Sequence, residues 1–122
     1  MRLVVLADNR TLSRDLQTEH GLCVYLETDQ HKILLDTGAS DIFIQNANKL
    51  NINLQAIDYV FISHGHSDHI GGLPYFLEIN RTAKVIMSMY IQNQLYFSKR
   101  DGLHSISTEF DFDAYRNRII FV

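Results

Sequence analysis

Ile57-Asp58-Tyr59-Val60-Phe61-Ile62-Ser63 runs directly into His64-Gly65-His66-Ser67-Asp68-His69. The first segment is a short run rich in β-branched and aromatic residues, the signature of a strand. The second packs three imidazoles and a carboxylate into six residues, and these groups are the usual ligands of zinc and related ions. A strand that delivers the chain into such a loop is the floor of a metal site. If extended geometry persists through Gly65, His64 and His66 project to the same side, because side chains along a strand alternate with a period of two. Asp68 and His69 follow where the chain turns into a helix, so they approach from another direction. A loop of this length lines a pair of ions about 3.5 to 4 Å apart. Asp68 also qualifies as the N-cap of a helix beginning near Ile70, a reading in which the histidines are surface residues.

Working outward, short apolar runs predict strands at Arg2 to Ala7, Leu22 to Thr28, His31 to Asp36, Ile57 to Ser63, Lys84 to Met89 and Asn117 to Val122. Glu27-Thr28-Asp29-Gln30 reads as a hairpin turn. Helices are predicted at Ser40 to Leu50, capped by Ser40 or Asp41 with Phe43, Ala47 and Leu50 on one face, at Ile70 to Glu78, and at Tyr90 to Phe97. Pro74 falls in the first turn of its helix, where its missing N–H costs little. A hairpin followed by strand–helix units describes one mixed sheet with helices on one face, an α/β fold of the α+β type in a single domain over residues 1–122.

Two blocks carry a family resemblance. His64-Gly65-His66-Ser67-Asp68-His69 followed by Ile70-Gly71-Gly72-Leu73 resembles the metal-binding motif His-x-His-x-Asp-His of the metallo-β-lactamase superfamily, with its usual strand and serine in front. Ile33-Leu34-Leu35-Asp36-Thr37-Gly38 resembles the strand ending in Asp-Thr-Gly that lies beside the metal loop in that superfamily. Asp8-Asn9, Glu19-His20-Gly21-Leu22 and the stretch from Asn46-Ala47 to Ile57-Asp58 are similar to the metal-dependent hydrolases related to the dihydropterin synthase of methanopterin biosynthesis. The resemblance implies the N-terminal half of a metallo-β-lactamase αββα sandwich. It implies His64 and His66 on a first metal, Asp68 and His69 on a second, and Asp68 as the residue that orients the nucleophile. Asp36 stands behind the ligands, orienting the metal loop by hydrogen bonds, although a turn residue closing its strand fits the same position. His20 and Asn9 face the substrate cleft in this comparison, where solvated loop and turn roles are the plain alternatives. The implied cofactor is zinc, with manganese or iron as alternatives, and up to two ions.

The same comparison shows what is missing. Family members add a further histidine, a bridging aspartate and a last histidine from the second half of the domain. After His69 this sequence offers His104 as its remaining histidine, and Gly102-Leu103-His104-Ser105 matches no metal motif. Catalytic zinc takes three protein ligands and an open position, so two ligands per ion leave a binuclear centre incomplete. A sheet covered on one side also leaves an apolar face that needs a cover. The expectation is a second copy in an isologous dimer, or a complementary half-domain. The apolar strand at Arg118 to Val122 points the same way, since an exposed edge invites pairing.

Composition narrows the partners. A net charge of −3 offers no basic field for nucleic acid, and Lys and Arg are scattered. Cys23 sits in an apolar strand without an activating base and reads as a small core residue. Leu3-Val4-Val5-Leu6 is too short for a signal segment or membrane span, so a cytoplasmic location and no membrane partner are expected. The function expected is a hydrolase that cleaves a phosphoester or a carboxylic ester or amide with metal-activated water. Its rivals are a truncated, non-catalytic remnant and one half of an enzyme completed by another chain.

Overall fold

The computed structural model describes residues 1–9, 16–93 and 110–122, together with the backbone of two short strands between the last two segments. Strands β1 (Arg2–Ala7), β2 (Cys23–Glu27), β3 (Lys32–Leu35), β4 (Tyr59–Phe61) and β5 (Lys84–Met87) are followed by a two-stranded ribbon, β6 (Phe97–Ser98) with β7 (His104–Ser105), and by β8 (Ile119–Phe121). The main sheet has the order β1-β2-β3-β4-β5-β8. β1, β2 and β3 pair antiparallel, whereas β3 with β4, β4 with β5 and β5 with β8 are parallel. Antiparallel neighbours join through tight turns, here Thr28 to His31, where Thr28 N–H donates to His31 O at 2.8 Å. Parallel neighbours need crossovers, and those from β3 to β4 and from β4 to β5 contain the helices.

Helices α1 (Ile42–Lys49), α2 (Ser67–Ile70) and α3 (Leu73–Ile79) meet one face of the sheet. Phe43, Asn46 and Ala47 are the buried residues of α1, a spacing of three and four that defines one stripe. Asn51, at φ 58°, lets the chain leave α1 through the left-handed conformation that asparagine tolerates. Against Phe43 and Ala47, and against Leu73, Phe76 and Leu77 of α3, lie Leu6, Tyr25, Leu34, Val60, Val85 and Met87 of the strands. Burying each such large apolar side chain contributes about 1.5 to 3 kcal/mol before conformational entropy is subtracted. Two buried amides tie the periphery to this core. Asn46 Nδ2 donates to Leu6 O and Gln17 O at 2.8 and 2.9 Å. Asn80 Nδ2 donates to Leu54 O and Ile57 O, while its Oδ1 accepts from Ala83 N–H at 2.8 Å.

The other face of the sheet is different. Register places Val5, Val24, Leu35, Phe61, Ile86 and Ile120 opposite one another, a row of apolar side chains crossing all six strands. No element among the described residues covers it: Val5, Leu35, Phe61 and Ile120 keep 43, 37, 40 and 44% of their surface exposed.

The expected architecture is present, with shorter elements. The helix expected from Ile70 to Glu78 is two helices broken at Gly71-Gly72, and the turn begins earlier, at Ser67. Asp68 therefore sits inside the first turn of α2, and the N-cap position belongs to His66. Of the helix expected from Tyr90 to Phe97, the chain forms a 3-10 segment at Met89–Asn93, residues 94–96 lie outside the described residues, and Phe97 is in β6. Ile57 and Asp58 are not part of β4, because a 3-10 turn at Leu54–Ala56 delivers the chain to the sheet only at Tyr59. No helix among the described residues is long and apolar enough to cross a membrane.

Candidate metal centre

Parallel β3 and β4 end side by side, with Leu35 opposite Phe61. Both chains then leave the sheet at its carboxyl edge, the position at which open α/β sheets generally form their sites. β3 runs into Asp36-Thr37-Gly38 and β4 into the loop from Ser63 to His69, so the two sequence motifs are neighbours for a topological reason.

Asp36 is the hub of this edge. It is 4% exposed and holds φ 59°, a left-handed conformation that aspartate adopts more readily than most side-chain-bearing residues. Its backbone N–H donates to Phe61 O at 2.8 Å. Its carboxylate accepts from Ser63 N–H at Oδ1 and from Ser63 Oγ–H at Oδ2, both at 2.7 Å. His69 Nδ1 lies 2.7 Å from the same Oδ2. Thr37, fully buried, donates both its N–H and its hydroxyl to His69 O, at 2.8 and 3.1 Å.

Around this hub the three imidazoles cluster. The ring of His64 stands 4.6 Å from that of His66 and 4.0 Å from that of His69, centroid to centroid. One ligand atom each from His64, Asp68 and His69 lies within 4.8 Å of the others, a group able to hold a metal ion. The chemistry of the donors fits such an ion. A carboxylate oxygen is an acceptor, so the 2.7 Å contact makes Nδ1 the donor nitrogen of His69 toward Asp36, and Nε2, 3.6 Å from Asp68, is the nitrogen on the side of the site. Burial first, then the neighbouring His69 and His66, push the His64 pKa below the ordinary imidazole value. Its neutral, ligating form is thereby favoured at neutral pH.

The segment from Glu19 to Leu22 closes the site from a third side. Glu19 accepts from Ala39 N–H at 3.2 Å and from Ser40 Oγ–H at 2.8 Å. Leu22 N–H donates to Asp68 O at 3.1 Å, and Gly38 N–H to Leu22 O at 2.8 Å. Gly21 is required by this approach, since a Cβ there would stand 2.7 Å from Asp68 O. His20 reaches out from the segment with Nε2 3.3 Å from Asp68 Oδ2, its side chain 82% exposed.

The residues expected from sequence thus separate. His64, His66, Asp68, His69 and Asp36 are brought together, and His20 joins them through Asp68. The closest three-atom group, His64 with Asp68 and His69, cuts across the expected pairing of His64 with His66 and Asp68 with His69. Asn9 is exposed, and its N–H bonds to Asp8 Oδ1 at 2.7 Å. His104 belongs to β7, and its side chain lies outside the described residues. Cys23 is buried, with its thiol pKa pushed up by that burial, as a core residue should be. Ser63 and Glu19 were not among the expected site residues. The signal for Ser63 was its place directly before the first histidine, and for Glu19 its place before His20.

Comparison with known proteins agrees with this geometry. The chain is 31% identical to Tm1679, a metal-dependent hydrolase of the β-lactamase superfamily, whose crystal structure it matches with a TM-score of 0.75 over 98% of its own length and 41% of that chain. An uncharacterized protein of Methanocaldococcus jannaschii is 34% identical over 74 residues, which cover 61% of this chain and 28% of the relative. The 7,8-dihydropterin-6-methyl-4-(beta-D-ribofuranosyl)-aminobenzene-5'-phosphate synthase of the same organism is 38% identical over 61 residues, 46% of this chain and 21% of that enzyme. The chain therefore spans well under half the length of these relatives. The family model of the metallo-beta-lactamase superfamily matches residues 17–119, and the chain belongs to that superfamily, whose members are generally metal-dependent hydrolases.

Proposed function

We propose that this chain supplies the metal-binding half of a hydrolase acting on a phosphoester or a carboxylic ester or amide. The observation that carries the reading is the group His64, Asp68 and His69, with ligand atoms within 4.8 Å, at the carboxyl edge of a parallel strand pair. Two imidazoles and a carboxylate are a donor set suited to zinc, with manganese or iron as the alternatives. Three protein ligands and an open position are what one catalytic ion needs. An ion held there supplies Lewis acidity and lowers the pKa of water toward about 7. Asp36 fixes the ring of His69, Asp68 stands where it orients the attacking water, and His66 and His20 line the approach. A second ion needs donors beyond His66 and Asp68, and a second copy of the chain, a complementary half-domain or a C-terminal half of the same protein would supply them.

Metal analysis of protein purified without chelator tests the reading, followed by phosphodiesterase and ester assays with added zinc or manganese. About one equivalent of ion and a hydrolytic rate that fall together to background in His64→Ala are the expected result. Metal at background in the parent chain would instead support the non-catalytic alternative and overturn a metal site held by this chain alone.

A further inference from the structure

The bond network at the carboxyl edge contains a link that the metal reading above does not use. Ser63 Oγ stands 2.7 Å from Asp36 Oδ2 and 2.8 Å from His64 Nδ1. A serine hydroxyl has one proton, and only one of these neighbours can receive it. Were it given to His64, two oxygens bearing lone pairs would face each other at 2.7 Å, one of them on the Asp36 carboxylate, which is itself 4% exposed. The hydroxyl proton therefore goes to Asp36, and Ser63 Oγ must accept from His64. That requires the proton of His64 on Nδ1 and the lone pair on Nε2. Asp36 sets His69 in the same tautomer directly, through the 2.7 Å contact at Nδ1.

We propose that Ser63 is a positioning residue that relays the Asp36 carboxylate to His64, so that one buried acid presets two ligand imidazoles with Nε2 free for the metal. The role of this preset in metal binding rests on the function proposed above; the tautomer itself does not. Ser63 N–H, bonded to Asp36 Oδ1 at 2.7 Å, holds the relay in register whatever the side chain. Removing the hydroxyl thus leaves the loop anchored while cutting the link to His64. Free histidine prefers the proton on Nε2, so His64 released from Ser63 drifts to the tautomer that blocks the ligating nitrogen.

The test is long-range ¹H–¹⁵N NMR of the full chain, freed of metal and at a pH where imidazoles are neutral, for the parent, Ser63→Ala and Ser63→Thr. In the parent, His64 and His69 both carry the proton on Nδ1. Ser63→Ala shifts His64 toward the Nε2–H form and leaves His69 unchanged, Ser63→Thr restores His64, and the melting temperature of each variant serves as the folding control. Zinc affinity, measured by competition with a chromophoric chelator, falls about 10- to 100-fold in Ser63→Ala, the usual effect of losing a partner that orients a ligand. His64 retaining the proton on Nδ1 in Ser63→Ala, or His64 and His69 shifting together, overturns the relay. A parent chain that takes up no zinc defeats the metal reading alone, and the tautomer result still decides the relay.

Discussion

Asp36 and Tyr25 show how much a single side chain does here and how differently each could be read. Asp36 was expected behind the ligands, and either role proposed for it, turn residue or orienting acid, is compatible with its left-handed backbone and its bonds to Ser63 and His69. Its partners, however, are 27 and 33 residues away along the chain, and no local pattern reports such pairs. Tyr25 carried no expectation beyond a strand position. Its hydroxyl donates to Glu27 at 2.5 Å, and burial followed by this bond raises its pKa from 10.0 to about 12. The folded chain holds this proton to higher pH than the unfolded chain. The stabilisation is therefore complete below the unfolded pKa and is lost as pH rises through the folded value of about 12. Thermal melts at increasing alkalinity should show Tyr25→Phe less stable than the parent at neutral pH, with the difference shrinking steadily across that window. A constant difference would show that Tyr25 does not titrate as described.

Among the elements, the junction of α2 and α3 departs most from expectation, and it is what seats the metal loop. Gly72 N–H donates to Gly38 O at 3.1 Å, which brings the helix start onto the turn after β3. A Cβ at Gly72 would stand 2.2 Å from Thr37 O and 2.5 Å from Ser40 O. An apolar run of helical spacing reads as continuous from Ile70 onward, because periodicity reports which side of a helix is buried and not how close a neighbouring backbone comes. Gly71-Gly72 was visible as part of the family motif, but its reason lies in the other chain segment. Gly72→Ala should cost about 2 to 3 kcal/mol, the upper range for forced overpacking, measured by urea denaturation against the parent. It should also weaken zinc binding, since Thr37 holds His69 O through the same turn. An unchanged urea midpoint would mean that the junction is slack.

For the whole molecule the question is the open face of the sheet. The row from Val5 through Val24, Leu35, Phe61 and Ile86 to Ile120 is apolar from edge to edge, a surface that soluble chains seldom leave exposed over such an extent. We propose that a second copy packs on it as an isologous sandwich. Light scattering on a sizing column should report a dimer at micromolar concentration, and Phe61→Lys, in the middle of the row, should return it to a monomer with its far-ultraviolet spectrum intact. A monomeric parent with a cooperative melt would rule the association out. The sequence by itself determined where the candidate ligands cluster and the short apolar runs that make β3, β4 and β5 strands, because both are written in local order. Only the tertiary structure decided that Asp36, Ser63, His64 and His69 form one hydrogen-bonded system, that His64, Asp68 and His69 are the closest ligand group among the described residues, and which side chains form the row on the expected open face. Each of these depends on strand order and on the approach of segments distant along the chain, and packing sets those distances where composition and spacing do not.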